Sequence, residues 1–146
     1  MLPRWHVILG AIFSLLFLLV FPETNPIYIF LIFLSSFLID FDHFAVGMIK
    51  TKSFSFSKIF DYYNKMMIIE IKERKEGIRR MGDFYLFHTF EFLAITALLG
   101  FVWTGFFYIA LGMAFHLILD IIDLIKLDFL YRKEFFLTAW LIKSIK

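Results

Sequence analysis

Three of the four histidines in this chain stand at helical spacing from a carboxylate, in stretches that are otherwise apolar. They lie in Asp40-Phe41-Asp42-His43, His88-Thr89-Phe90-Glu91 and His116-Leu117-Ile118-Leu119-Asp120; the fourth, His6, follows Trp5 near the N-terminus. Imidazole and carboxylate together bind first-row divalent metals, and with no cysteine present the donors must be nitrogen and oxygen. His116, Asp120 and Asp123 fall at i, i+4 and i+7 and share one helical face. Asp40 and His43 are three apart, as are His88 and Glu91. Asp40 and Asp42 would point about 200° apart on an ideal helix, so either they do different jobs or the helix unwinds there. The candidate ligands are His6, Asp40, Asp42, His43, His88, His116 and Asp120. Glu91 and Asp123 stand outside that set as carboxylates that orient a histidine or act as general base.

The elements that position these residues are greasy. Of 146 residues, 61% are hydrophobic and 22 are phenylalanine, with a mean hydropathy of +0.80. That composition points to a membrane protein. An ionised aspartate near the bilayer centre costs roughly 2.5–3.5 kcal/mol, and less near the interface. Several such groups need a counter-charge, yet the second, third and fourth apolar segments contain no lysine or arginine. A divalent cation fills that role, because it binds neutral imidazole and ionised carboxylate together. Zinc or manganese, singly or as a pair, is the expected ion.

The expected fold is all-α: one membrane domain over residues 1–146, with four transmembrane helices at about 5–21, 26–46, 84–103 and 105–125. Residues 50–83 read as an amphipathic and charged segment between the second and third spans, with Phe56, Ile59, Phe60, Tyr63 and Met67 at helical spacing. Residues 127–146 read as an interfacial tail. The first segment resembles a secretory signal, but Leu19-Val20-Phe21-Pro22 offers no small-residue cleavage site, so a retained helix is expected. One basic residue precedes the first span, nine lie between the second and third, and five follow the fourth. With four spans these all fall on one side. The positive-inside rule makes that side the cytoplasm, with both termini there. All four histidine clusters then lie in the cytoplasmic half of the bilayer, one from each helix, and Gly112 would let a neighbouring helix come close to the His116 face.

The order of an early histidine, Asp-x-Asp-His after an apolar segment, a later histidine motif and His-x-x-x-Asp in the last span resembles the YdjM/YbcI-like membrane-bound metal-dependent hydrolases. The resemblance implies an all-helical inner-membrane protein with metal-dependent hydrolase activity. By position it carries to His6, to Asp40, Asp42 and His43, to His88, and to His116 and Asp120. The family's His-Arg-x-x-Thr-His before the third span is reduced here to a single histidine in Tyr85-Leu86-Phe87-His88-Thr89. A hydrolase acting on a lipid-like or membrane-proximal substrate is therefore the leading expectation. Transport of a metal ion or protons, and a non-enzymatic helical scaffold, are the alternatives. The chain has no Gly-x-Ser-x-Gly, His-Glu-x-x-His or glycine-rich phosphate loop, and no pattern pointing to nucleic acid.

Overall fold

In the computed structural model, which describes residues 3–145, all regular structure among the described residues is helical. Helix α1 (Pro3–Val20) is followed by α2 (Pro26–Leu38) and α3 (Phe41–Thr51). The long α4 (Phe56–Lys75) leads through an irregular stretch and a 3₁₀ turn (Leu86–His88) to the short α5 (Phe90–Leu99). Then come α6 (Gly105–Lys126), a second 3₁₀ turn (Leu130–Arg132) and α7 (Leu137–Ile145). The boundaries follow local chemistry. Asn25 caps α2, its side chain accepting the Ile27 N–H at 2.9 Å, with Pro26 in the first turn, where a missing N–H costs nothing. The Thr89 hydroxyl accepts the Phe92 N–H and so starts α5.

Helices α2 and α6 form the centre and run in the same direction. Tyr28 stacks on Tyr108 at 4.4 Å, and a turn further on Gly112 lies against Ile32 and Ser35. A turn beyond that, the Ser36 carbonyl meets the His116 ring. Helix α1 packs antiparallel to both, with Phe17 at Tyr108, Phe13 stacked on Phe115 at 4.1 Å, and His6 stacked on His116. Small residues make the close crossing: a Cβ on Gly112 would lie 2.3 Å from the Ile32 carbonyl oxygen, and one on Gly10 1.9 Å from the Ser36 hydroxyl. The hydroxyls of Ser14, Ser35 and Ser36 donate to carbonyls of their own helices, so they enter the apolar interior with their hydrogen bonds made. Helix α5 packs against α6, antiparallel to it, with Gly100 against Phe107.

Four spans were expected, but two stretches are both long and apolar enough to cross a membrane: Pro26–Thr51 and Gly105–Lys126. The first helix falls just short, with an apolar stretch of Arg4–Val20. The third differs more. Its helical part covers Phe90–Leu99 rather than 84–103, a rise of about 15 Å against a hydrocarbon core of about 30 Å. Residues 84–89 leave α-helical geometry, with a 3₁₀ turn at Leu86–His88, where the Phe87 N–H and the His88 ring both bond to the Asp42 carboxylate. The Pro26–Thr51 stretch is itself interrupted at Ile39–Asp40, with tightened bonds from the Asp40 N–H to the Phe37 carbonyl and from the His43 N–H to the Asp40 carbonyl.

The amphipathic segment condenses into α4, which crosses α3 where buried Ile59 meets Gly47. Its charged end does not simply trail into solvent. Glu70 and Glu73 hold the buried Arg132 at 3.1 and 3.0 Å, and Lys50 pairs with Asp83 at 2.8 Å. Burial raises the Glu70 carboxyl above its ordinary range even with that arginine beside it.

The two glycine contacts differ in what must yield. Gly112→Ala drives a methyl group into helix backbone and forces α6 away from α2, at a cost of about 1–3 kcal/mol. Gly10→Ala meets the hydroxyl and Cβ of Ser36, a side chain that can turn aside in part. Thermal unfolding in detergent is therefore expected to show the larger loss for Gly112→Ala. An equal or reversed order would contradict the packing described.

Candidate metal centre

The two central helices and the turn before α5 bring two imidazoles together edge to edge, their ring planes 70° apart. His116, from the middle of α6, places Nδ1 2.8 Å from the Ser36 carbonyl oxygen. A carbonyl only accepts, so Nδ1 carries the proton and, in the neutral ring, Nε2 carries the lone pair. His88 is set the same way from its other side, with Nδ1 3.0 Å from Asp42 Oδ2. The two Nε2 atoms then point at each other across 3.1 Å, in rings that solvent does not reach. Two facing lone pairs at that distance repel; the contact is relieved either by a metal ion lying between or beside them or by a second proton on one ring, which then donates an N–H···N hydrogen bond to the other.

Carboxylates surround the pair. Asp40 Oδ1 is 3.5 Å from each Nε2, and Asp120 Oδ2 is 3.6 Å from His88 and 3.7 Å from His116. Four ligands at about 2.0–2.1 Å from a tetrahedral ion sit about 3.3–3.4 Å from one another, and the spacings among His88, His116 and Asp120, and from Asp40 to each histidine, lie within a few tenths of an ångström of that value. His88, His116 and Asp120 form one group able to hold a metal ion, and all three are buried. Asp40 joins two further groups, one with His6 and His116 and one with His43 and His88.

The remaining sequence candidates divide by position. Asp42 stands behind His88, taking the imidazole N–H and the Phe87 N–H on Oδ2, while its buried Oδ1 has no hydrogen-bond partner. Asp40 lies in the tightened turn between α2 and α3, and Asp42 in the first turn of α3, so the two aspartates meet the cluster from different sides. His6 stacks on His116 with ring centroids 4.0 Å apart and sets Nε2 3.3 Å from Asp120 Oδ1. His43 sits at the opening, with Nε2 3.6 Å from Asp40 and its ring against Tyr85 at 3.7 Å. The side chains of His43 and Asp40 are 32% and 22% exposed, against a tenth or less for the others, which locates the mouth of the cluster. The Tyr63 hydroxyl, pushed up to about 12 by burial, donates to the His43 carbonyl at 2.6 Å and fixes that end of α3.

One of the two expected helpers, Glu91, lies elsewhere. The Glu91 carboxylate accepts the Leu137 and Thr138 N–H groups at 3.0 and 3.2 Å and the Thr138 hydroxyl at 3.0 Å. It caps the start of α7, where helix dipole and unpaired N–H groups attract an anion, and it is not positioned as a base. Asp123 lies beyond Asp120 on α6 and belongs to none of the three ligand groups.

One residue in the cluster is new. Lys133, from the tail, reaches Asp120 Oδ2 at 2.5 Å with its side chain 10% exposed. The spans themselves carry no basic partner, but the tail folds back and supplies one. Four bonds hold it in place: Arg132 to Glu70 and to Glu73, the Gly82 N–H to the Arg132 carbonyl at 2.8 Å, and the Phe90 N–H to the Phe135 carbonyl at 2.9 Å. In the sequence, Lys133 is indistinguishable from any basic residue flanking a span. Only the tethering of its neighbours reveals where it goes. One lysine set against Asp40, Asp42 and Asp120 leaves the described cluster negative, the sign that attracts a cation.

A zinc titration of the purified protein with a competing chromophoric chelator tests these placements. Asp42→Ala removes no ligand atom from the facing pair but frees the His88 ring, and is expected to weaken binding about 10–100-fold. Lys133→Met removes a cation competing for Asp120 and is expected to tighten it. Unchanged affinity in both variants would contradict the assignment. No family model, curated protein or solved structure matches the chain, so the chemistry of this cluster is read from its own geometry.

Proposed function

We propose that the chain is a membrane-embedded, metal-dependent hydrolase whose ion is held by His88, His116, Asp40 and Asp120. The observation that carries this reading is the pair of buried imidazole nitrogens facing each other at 3.1 Å inside a ring of carboxylates. Two histidines with two aspartates suit zinc best, with manganese the alternative. When bound, such an ion lowers the pKa of water towards neutrality and polarises a carbonyl or phosphoryl oxygen.

The chain's own groups divide the remaining work. Asp42 and the Ser36 carbonyl fix the tautomers of His88 and His116. His6 holds Oδ1 of Asp120, while Lys133 on Oδ2 competes with the ion for that oxygen. His43, about one-third exposed beside Asp40, is the group at the mouth able to take a proton from water and return it to a leaving group. Membrane embedding is supported by the two long apolar helices and by outward-facing side chains such as Leu19, Phe101 and Val102, which are 76%, 81% and 83% exposed. The resemblance to the YdjM/YbcI-like hydrolases points the same way. Hydrolysis fits better than transport because residues 7–22, 26–38 and 92–115, which include the far ends of the helices, carry no ionisable side chain except the stacked Tyr28 and Tyr108 and so offer no chain of charged groups across.

Hydrolysis of nitrophenyl acyl and phosphate esters by the detergent-solubilised protein, with and without chelator, checks the reading. His43→Ala is expected to lower kcat about 10²–10⁴-fold while metal content is retained. Glu91→Gln is expected to leave both unchanged. Activity that survives metal removal, or that Glu91→Gln abolishes, would overturn the assignment.

A further inference from the structure

Helices α2 and α5 both pack on α6 and leave a cavity of about 270 Å³ between them. Leu34 and Leu38 of α2 form one wall, Phe92 and Phe87 the other, and Ile109 and Met113 of α6 the floor. Ser35 is the one polar side chain among the lining residues, and its hydroxyl is turned to the Leu31 and Ile32 carbonyls at 2.8 and 3.2 Å. The cavity therefore offers its occupant no side-chain hydrogen-bond donor, and that favours a plain hydrocarbon. Along α2 it runs from Leu31 to Ile39, about 12 Å of helix.

Its position gives the occupant a direction. At one end lie Ile39 and Phe87, each the residue before a member of the cluster, Asp40 and His88. The Phe87 N–H itself bonds to Asp42. The walls come from the two helices long and apolar enough to cross a membrane together with the short α5, so hydrocarbon can enter sideways. A chain lying in this groove ends where the carboxylates and imidazoles begin.

We propose that the groove seats the acyl chain of a membrane lipid, delivering the ester or headgroup end of that lipid to the His/Asp cluster. The proposal rests on the membrane-embedded reading given above and names the substrate class for it: an acyl-chain amphiphile, not a soluble peptide or sugar. The lipid chain is favoured over a helix of a second copy because a cavity of this volume between two turns of α2 admits a single flexible chain but no helix of about 10 Å diameter.

The test is photolabelling of the full chain in phosphatidylglycerol vesicles containing phosphatidylcholine with a diazirine at mid-chain, with sites mapped by mass spectrometry and zinc content measured on the same samples. Labels are expected on Leu34, Leu38, Phe92 or Met113. Leu38→Trp, at a half-exposed position that tolerates the larger ring, is expected to lower groove labelling about tenfold while zinc content holds, which also shows that the variant is folded. Met113→Trp is expected to do the same from the floor. Labelling confined to outward residues such as Leu15, Leu19 and Val102 would overturn the proposal, as would cross-linking of two chains through the groove. Groove labelling in protein that binds no zinc would leave the acyl site standing and refute the metal-dependent reading alone.

Discussion

Two imidazole nitrogens held 3.1 Å apart, each with its other nitrogen already committed as a donor, are the constraint around which this bundle is built. The partner of His116 is a backbone carbonyl on a parallel helix, so α2 and α6 must lie nearly in backbone contact. Gly112 makes that approach, and Ser35 and Ser36 fold their hydroxyls back onto their own helix to keep the interface dry. His88 enters from a turn rather than a helix, which shortens α5 to ten residues. The same aspartate that orients His88 also binds the Phe87 N–H, so one side chain sets both the ring and the chain path leading to it.

A cluster of this kind is costly in an apolar bundle. Ionised groups withdrawn from water are tolerated when paired and hydrogen-bonded, and breaking one partner leaves the other uncompensated. That explains the elaborate support: His6 on one oxygen of Asp120, Lys133 on the other, and a tail anchored through Arg132 and Glu91. The charged helix α4 takes part through Glu70 and Glu73, which hold the arginine next to Lys133. The polar part of the molecule is thus organised around the same site as the apolar part.

The local chemistry was legible in the sequence, and the long-range arrangement was not. Histidine and aspartate at i, i+4 on α6 share a face because helix geometry requires it, and the conflict between Asp40 and Asp42 signalled a break that the chain does contain. The all-helical class followed from apolar runs and turn residues such as Asn25-Pro26. Hydropathy failed at the third segment, since an apolar stretch reads alike whether it is helix or extended turn, and bonds to Asp42, 45 residues away, decided the matter. Glu91 misled for a related reason: i, i+3 from a histidine is meaningful only if both lie in one helix, and Thr89 separates them. Lys133 left no trace in spacing at all.

Zinc-edge X-ray absorption of the purified, zinc-loaded protein tests the central claim most directly. The account predicts one ion per chain with a first shell of two imidazole nitrogens and carboxylate oxygens at about 2.0–2.1 Å, the imidazole signature vanishing in the His88→Ala/His116→Ala double variant. An all-oxygen shell, or zinc retained unchanged in that variant, would show that the facing imidazoles do not hold a metal.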